Sequence, residues 1–278
     1  MLSIFTTYTD PEKRMDPWKE AIQCYEDIAE ELIITGENWK EEFSWREIGQ
    51  TFQEGFEKAN GNWVARMDID YFFHENDKEK LYSALNKSVK YPAIALPQYQ
   101  FFSVDRFHLK TRLCVVLNKK HFPNIKLNGG GDYCLATING KLITPTSVPN
   151  FNIPIYQYDS MFRTKEIISN DRARFARAWY REFNNYGVRG GPEENEAFLA
   201  WFEEVKKKYP NHSNRIKLNN HPKYIKQKLK NLREDQFGYD MFGIKNEFNT
   251  TYRKIISGKK ELFIGHLINN FKRSETHY

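Results

Sequence analysis

Over its first ninety residues the chain alternates extended and helical signals, and that alternation commits it to an α/β fold with a mainly parallel sheet and covering helices. Residues 2–8 are β-branched and aromatic and stop at the turn-prone Thr9-Asp10-Pro11. Asp16 then reads as a helix cap, with Pro17 at the first helical position where no N–H is missed. Ile22, Tyr25, Ile28 and Ala29 recur at helical spacing and give this helix a buried face. Residues 31–35 form a second strand signal ending at Gly36-Glu37. Ser44-Trp45-Arg46-Glu47 has the form of a capping box, opening a helix that runs to about Asn60, with Gly61 expected in the left-handed position that ends it. Residues 63–67 are the third strand, and Asp68-Ile69-Asp70 stands at its carboxyl end. Asn76-x-x-Glu79 opens another helix, with Leu81, Ala84 and Leu85 inward.

The middle of the chain changes character. Residues 93–104 and 111–117 read as a hairpin joined by Asp105-Arg106-Phe107-His108. Asn128-Gly129-Gly130-Gly131-Asp132 follows, then a short apolar helix through Leu135. Residues 142–158 are irregular and punctuated by proline, and helices resume at about 165–185, 193–208 and 221–232.

At 278 residues and 40% hydrophobic, the chain has enough apolar surface for a packed core, which excludes disorder. No apolar run approaches the roughly 18–20 residues of a membrane span. Met1-Leu2-Ser3-Ile4-Phe5 lacks the basic flank of a leader and reads as the first strand, so the expected location is cytoplasmic. Cys24, Cys114 and Cys134 have no metal-ligand spacing and read as reduced thiols in apolar surroundings. Charge is unevenly spread: residues 1–204 carry 25 Lys+Arg against 30 Asp+Glu, and residues 205–278 carry 17 against 6. A basic tail of this kind is a solvated helix face, or else a surface for anionic membrane, acidic glycan or nucleic acid. The catalytic argument therefore rests on the first two hundred residues.

Asp-x-Asp is common in loops, and its position raises its meaning here. Open α/β sheets bind ligands just outside the carboxyl ends of their strands. One carboxylate there can hold a hydrated cation while the other meets a ribose hydroxyl or a metal-bound water. Mg²⁺ or Mn²⁺ suits such hard oxygen ligands, typically one or two carboxylates plus substrate phosphates. A cation bridging a diphosphate leaving group stabilises the charge that develops as its bond to a sugar breaks.

The segment from Gln50 through Gly55, Ala59 and Gly61 to Arg66, Asp68 and Asp70 resembles the donor half of family-2-type GT-A glycosyltransferases. The resemblance covers roughly residues 2–135. It implies a catalytic domain over residues 1–160, with a donor half to about 90 and an acceptor half from about 91, and a helical, basic region over residues 161–278. It implies a nucleotide-diphospho-sugar donor (a UDP- or GDP-sugar), a Mn²⁺ or Mg²⁺ ion, and a glycan or lipid-linked glycan as hydroxyl acceptor, with inversion. Asp70 would hold the cation, with Asp68 sharing the metal shell and the ribose. Thr6, Thr7, Tyr8, Glu37 and Arg66 would complete the donor pocket.

Asp132 has two readings. It caps a helix after a flexible glycine turn, or it is the general base that deprotonates the acceptor. The resemblance implies a Glu-Asp pair there, and Gly131 stands where the glutamate would be. It also implies a metal-binding His after the acceptor region, where Gln157 stands, so either Asp70 holds the cation with the diphosphate and waters or Asp159 contributes. Gln98, Tyr99, Asp105 and Arg106 flank the hairpin and are the acceptor candidates. Arg163 and Lys165 read as a diphosphate clamp or as a salt-bridged helix start.

Two other classes remain open. A sugar-nucleotide nucleotidyltransferase also uses strand-end aspartates, although Thr9-Asp10-Pro11-Glu12-Lys13 lacks a phosphate-binding glycine loop. A non-catalytic module would use the basic tail on nucleic acid or anionic lipid. For the transferase, nucleic acid is not an expected partner, and the tail suits peripheral contact with an anionic membrane surface.

Overall fold

Three short parallel strands set the frame in which the Asp-x-Asp segment sits. The computed structural model describes residues 1–36, 40, 42–128 and 134–248. Glu37, Trp39, Asp132 and Lys259-Lys260 lie outside the described residues. Met1–Tyr239 form one unit and Asp240–Tyr278 another; in the second, residues 244–248 are helical. The first unit contains β1 (Leu2–Thr7), α1 (Trp18–Ile28), β2 (Glu31–Thr35), α2 (Trp45–Lys58), β3 (Trp63–Arg66), β4 (Tyr71–Phe73) and α3 (Lys78–Lys87). A long hairpin, β5 (Ala93–Ser103) and β6 (Arg106–Leu117), comes next, then the small pair β7 (Thr137–Ile138) and β8 (Lys141–Leu142). The unit continues with β9 (Ile155–Gln157), α4 (Lys165–Phe183), α5 (Glu194–Lys208), β10 (Asn214–Arg215) and α6 (Lys226–Lys230).

The sheet runs in the order β2-β1-β3-β6-β5-β9-β4, with β10 also on β6. The α/β class is as the sequence predicts. Pairing is parallel through β2, β1 and β3 and again between β5 and β9, and antiparallel where the hairpin, β4 and β10 join. Because β2 lies on one side of β1 and β3 on the other, the chain reverses its direction of travel at β1. In open α/β sheets such a switch point leaves a crevice at the carboxyl ends of the two strands.

Strand alternation divides the core between two faces. Leu2, Ile4, Trp63 and Ala65 pack with Ala21, Cys24, Tyr25 and Ile28 of α1. Phe5 and Val64 pack with Ile48, Phe52 and Phe56 of α2. Each of these large apolar side chains contributes roughly 1.5–3 kcal/mol by leaving water. The expected capping box of α2 is present: Glu47 N–H donates to Ser44 Oγ at 3.3 Å, and Ser44 N–H to Glu47 Oε2 at 2.7 Å.

Several local expectations are corrected. The cap of α1 is Pro17, and Asp16 turns its carboxylate to arginines instead of the helix end. Gly61 is not left-handed; α2 ends in extended backbone at Ala59. Its lack of a side chain serves close approach, since a Cβ would stand 2.5 Å from Ser3 Oγ and 2.6 Å from the Trp63 carbonyl oxygen. The helix after Asn76 begins at Lys78, behind a 3₁₀ turn whose Asn76 N–H donates to His74 Nδ1 at 3.2 Å. The hairpin turn is only Val104-Asp105, because Phe107 stacks on Tyr99 at 4.3 Å and draws residues 106–109 into the strand. Cys134 and Leu135 are not helical. The last helix shrinks to α6 because His221 is pinned in extended backbone: its Nε2 donates to the Val104 carbonyl at 2.8 Å, and its Nδ1 accepts from Tyr158 OH at 2.7 Å.

The residues after 204 pair more than their composition suggests. Lys206, Lys207 and Lys208 bond to Glu203 and Glu204 on their own helix, Lys223 to Asp27 and Lys228 to Glu20. Among the described residues no helix is long and apolar enough to cross a membrane.

Gly55 fixes how closely α2 settles on β1, since a Cβ there would stand 2.4 Å from Cδ2 of the buried Phe5 ring. Gly55→Ala gains about 1 kcal/mol of helix propensity and loses about 1–3 kcal/mol to overpacking. The expected outcome is net destabilisation, read as a lower urea midpoint at unchanged slope; a higher midpoint would refute the tight contact.

Candidate active site

The crevice at the ends of β1 and β3 receives its chemistry from a turn held on three sides. Met67 N–H donates to the Phe5 carbonyl at 3.0 Å and so continues the β1–β3 pairing for one residue. The chain then turns, with Tyr71 N–H donating to the Asp68 carbonyl at 2.8 Å. Tyr25 brings its buried hydroxyl from α1 to within 2.6 Å of the Asp68 carbonyl and 2.8 Å of the Tyr71 carbonyl. Tyr158 N–H donates to the Asp70 carbonyl at 3.0 Å. Asp68, Ile69 and Asp70 all line one cleft of about 270 Å³, where a straight strand would have sent Ile69 to the opposite face. Thr7, Tyr8 and Thr9 from the end of β1 form another wall. Asp70 also faces an adjoining hollow of about 90 Å³ that includes Asp16 and Asp159.

Five aspartates surround this floor, and four have a cationic partner. Asp16 and Asp171 are buried and share Arg14 and Arg163 in a closed square. Arg163 donates to Asp16 Oδ1 at 2.5 Å and to Asp171 Oδ2 at 2.9 Å; Arg14 donates to Asp16 Oδ2 at 3.1 Å and to Asp171 Oδ1. Asp159 accepts from Arg172 at 3.2 Å, and Asp68 stands 3.9 Å from Arg66. Among the described residues, no arginine or lysine bonds to Asp70.

The titration behaviour follows from that difference. Burial works against ionisation of Asp171, but Arg14 and Arg163 overcome it and hold the carboxyl well below its usual range. Asp159 is likewise lowered: burial opposes it, and Arg172, Lys110 and Arg163 prevail. For Asp70, enclosure in the floor and the neighbouring Asp68 and Asp159 charges act together, and its carboxyl is pushed up to about 7.

Asp70 is held by an amide. Gln157 Nε2 donates to Asp70 Oδ2 at 3.3 Å, and Gln157 Oε1 accepts from Gln98 Nε2 at 2.7 Å. Gln98 Nε2 also donates to Tyr71 OH at 3.0 Å. Gln100, two residues along β5, reaches Asp159 Oδ2 at 3.5 Å. All three glutamines are buried. This amide layer is the part of the site that sequence reading missed. Its signal was the spacing Gln98-x-Gln100, two polar residues on one face of an otherwise apolar strand.

Several predicted site residues converge on the cleft and others do not. Thr7, Tyr8, Asp68 and Asp70 line it. The Thr6 and Thr7 hydroxyls are buried and have no hydrogen-bond partner among the described residues. Arg66 stacks on Phe52 at 4.6 Å and donates to the Cys134 carbonyl at 3.2 Å. Gln98 is enclosed within the sheet, Tyr99 is stacked on Phe107, and Asp105 with Arg106 stands at the hairpin tip; none of the four lines the cleft. Arg163 is committed to Asp16 and Asp171, and Lys165 lies over the Phe198 ring at 4.9 Å. Glu37 and Asp132 lie outside the described residues.

No protein-family model matches this chain, and no curated protein matches it in sequence. Among solved structures, it is similar to S. aureus TarS at 9% identity with a TM-score of 0.35, over 68% of this chain and 44% of that one. A second TarS structure, of residues 1–349, is similar at 8% identity with a TM-score of 0.34, over 90% of this chain and 91% of the other. The chain thus spans under half the length of the first TarS chain.

Proposed function

We propose that the chain is a metal-dependent glycosyltransferase that takes a sugar from a nucleotide-diphospho-sugar and passes it to a hydroxyl acceptor. The observation that carries this reading is Asp70: a carboxylate on the cleft floor, two positions from Asp68, raised by enclosure and by its acidic neighbours and bonded to no arginine or lysine among the described residues. A site so built gains most from a cation delivered with its substrate. Among the described residues no third acid, histidine or cysteine joins the pair into a complete metal cage. That suits Mg²⁺ or Mn²⁺, which keep waters and substrate phosphates as ligands beside one or two carboxylates.

In this reading Asp70 and Asp68 would hold the ion, which when bound would supply positive charge beside the diphosphate leaving group. The chain's own part is to place the donor. Thr7, whose buried hydroxyl has no hydrogen-bond partner among the described residues, and the Tyr8 ring, which packs against Trp18 at 5.8 Å, form the wall that would meet the nucleoside. Arg66, beside Asp68, holds that carboxylate toward the cleft. Arg163 braces the floor through its aspartates instead of clamping phosphate. Proton removal from the acceptor is assigned to Asp132, on the sequence argument alone.

Calorimetric titration tests the reading. UDP or GDP should bind more tightly with Mn²⁺ present, and Asp70→Asn should cost the Mn²⁺-dependent part at least about tenfold, the loss expected when a charged ligand is removed. Nucleotide binding indifferent to Mn²⁺, or unaltered in Asp70→Asn, would sink it.

A pH prediction follows from the raised carboxyl of Asp70, at about 7. In the unfolded chain it titrates near its ordinary value of about 3.9. Between these values the folded protein binds the extra proton, so this group's contribution to stability declines as pH rises from about 4 and levels off above about 7. Without added cation, Asp70→Asn should therefore be increasingly more stable than the parent across that window. Denaturant melts at pH 5 and pH 8 measure the difference, and an equal difference at both would contradict it.

A further inference from the structure

Asp70 has two carboxylate oxygens, and the structure treats them differently. Oδ2 accepts the Gln157 amide at 3.3 Å, while Oδ1 receives no hydrogen bond among the described residues. The amide is itself oriented: Gln98 donates to Gln157 Oε1 at 2.7 Å, which leaves the Gln157 N–H₂ end toward Asp70. Gln98 in turn is fixed by Tyr71 OH at 3.0 Å. Tyr71, Gln98 and Gln157 are all buried, so the relay is held in the sheet and not by solvent.

We propose that the Gln98–Gln157 amide relay reserves Asp70 Oδ2, restricts the carboxylate to one-oxygen contact with a cation, and so selects small octahedral ions over Ca²⁺. The inference rests on the donor-site reading above and concerns which ion that site accepts. The physical reason lies in coordination habit. Mg²⁺ demands near-ideal octahedral geometry at short distance, which single-oxygen ligands satisfy, and Mn²⁺ shares the octahedral oxygen preference. Ca²⁺ takes six to eight oxygens at longer range and readily uses both oxygens of one carboxylate. A hydrogen bond on Oδ2 competes with that second contact. Gln157 is thus a positioning residue, acting through Asp70. It is not itself a ligand, because its oxygen is occupied by Gln98 and its nitrogen carries only donors.

Mn²⁺ and Ca²⁺ titrations in the presence of UDP or GDP, on the full chain, read the selectivity directly. The parent protein should prefer Mn²⁺. Gln157→Leu, of similar volume and without a donor, should weaken Mn²⁺ by up to about tenfold, the scale of one hydrogen bond to a charged group. It should weaken Ca²⁺ less or not at all, so the Mn²⁺/Ca²⁺ affinity ratio falls. Gln98→Met leaves Gln157 in place but free to turn, and should move the ratio the same way by less. A general structural defect would weaken both ions in proportion and leave the ratio unchanged; that result overturns the proposal. So does a parent protein that binds Ca²⁺ as tightly as Mn²⁺, whatever the variants do. A parent that binds neither ion beside a nucleoside diphosphate overturns the donor-site reading itself, a distinct outcome.

Discussion

The square formed by Arg14, Asp16, Arg163 and Asp171 is the interaction on which the cleft depends. Two carboxylates and two guanidinium groups leave water together there, and each acid is held from two sides. Removing either arginine would leave two buried carboxylates sharing one guanidinium, and breaking a buried ion pair costs about 3–5 kcal/mol. The square ties the loop after β1 to the start of α4, segments about 150 residues apart in the chain. It thereby fixes the wall opposite Asp68 and Asp70. It also commits Arg14 and Arg163 to Asp16 and Asp171, so neither bonds to Asp70.

Topology supplies the place and local bonds supply the aim. The reversal at β1 puts a crevice where β1 and β3 end, and the first residues beyond those strands are Tyr8 and Met67. Straight strand geometry would send Asp68 and Asp70 the same way and Ile69 the other, but the backbone already turns at Asp68. Tyr25 is the anchor for that turn, a helix residue whose hydroxyl meets the carbonyls of Asp68 and of Tyr71 at the start of β4. Its position on α1 follows from packing: with Ala21, Cys24 and Ile28 it forms the buried stripe. One residue therefore serves the core with its ring and the site with its oxygen.

What could be read from the sequence was local. The capping box at Ser44, the inward face of α3 and the carboxyl-end position of Asp68 and Asp70 all follow from patterns within a few residues. What escaped was set by partners far along the chain. Asp16 resembles a helix cap until Arg163 competes for it, 147 residues later. Gly61 resembles a helix terminator until Ser3 is folded against it. Gln98 resembles an exposed polar tip beside a hairpin, and only the pairing of β5 with β9 places it under Gln157. A polar residue in an apolar strand announces that it must find a partner, but it does not say which.

The choice of partner for Asp70 then has a physical logic. A lysine or arginine in place of Gln157 would stabilise the half-buried carboxylate and would also repel any incoming cation. Leaving Asp70 with no donor would let the carboxylate rotate and spread its charge over two unfixed oxygens. A neutral amide avoids both: it orients one oxygen and adds no charge to the site. Histidine could orient a carboxylate too, but a protonated ring would bring the same positive charge that an arginine does. Gln157 has no such state, so it brings no charge of its own to the floor at any pH. In place of the expected histidine, Gln157 orients Asp70 without adding a second titrating group to the floor.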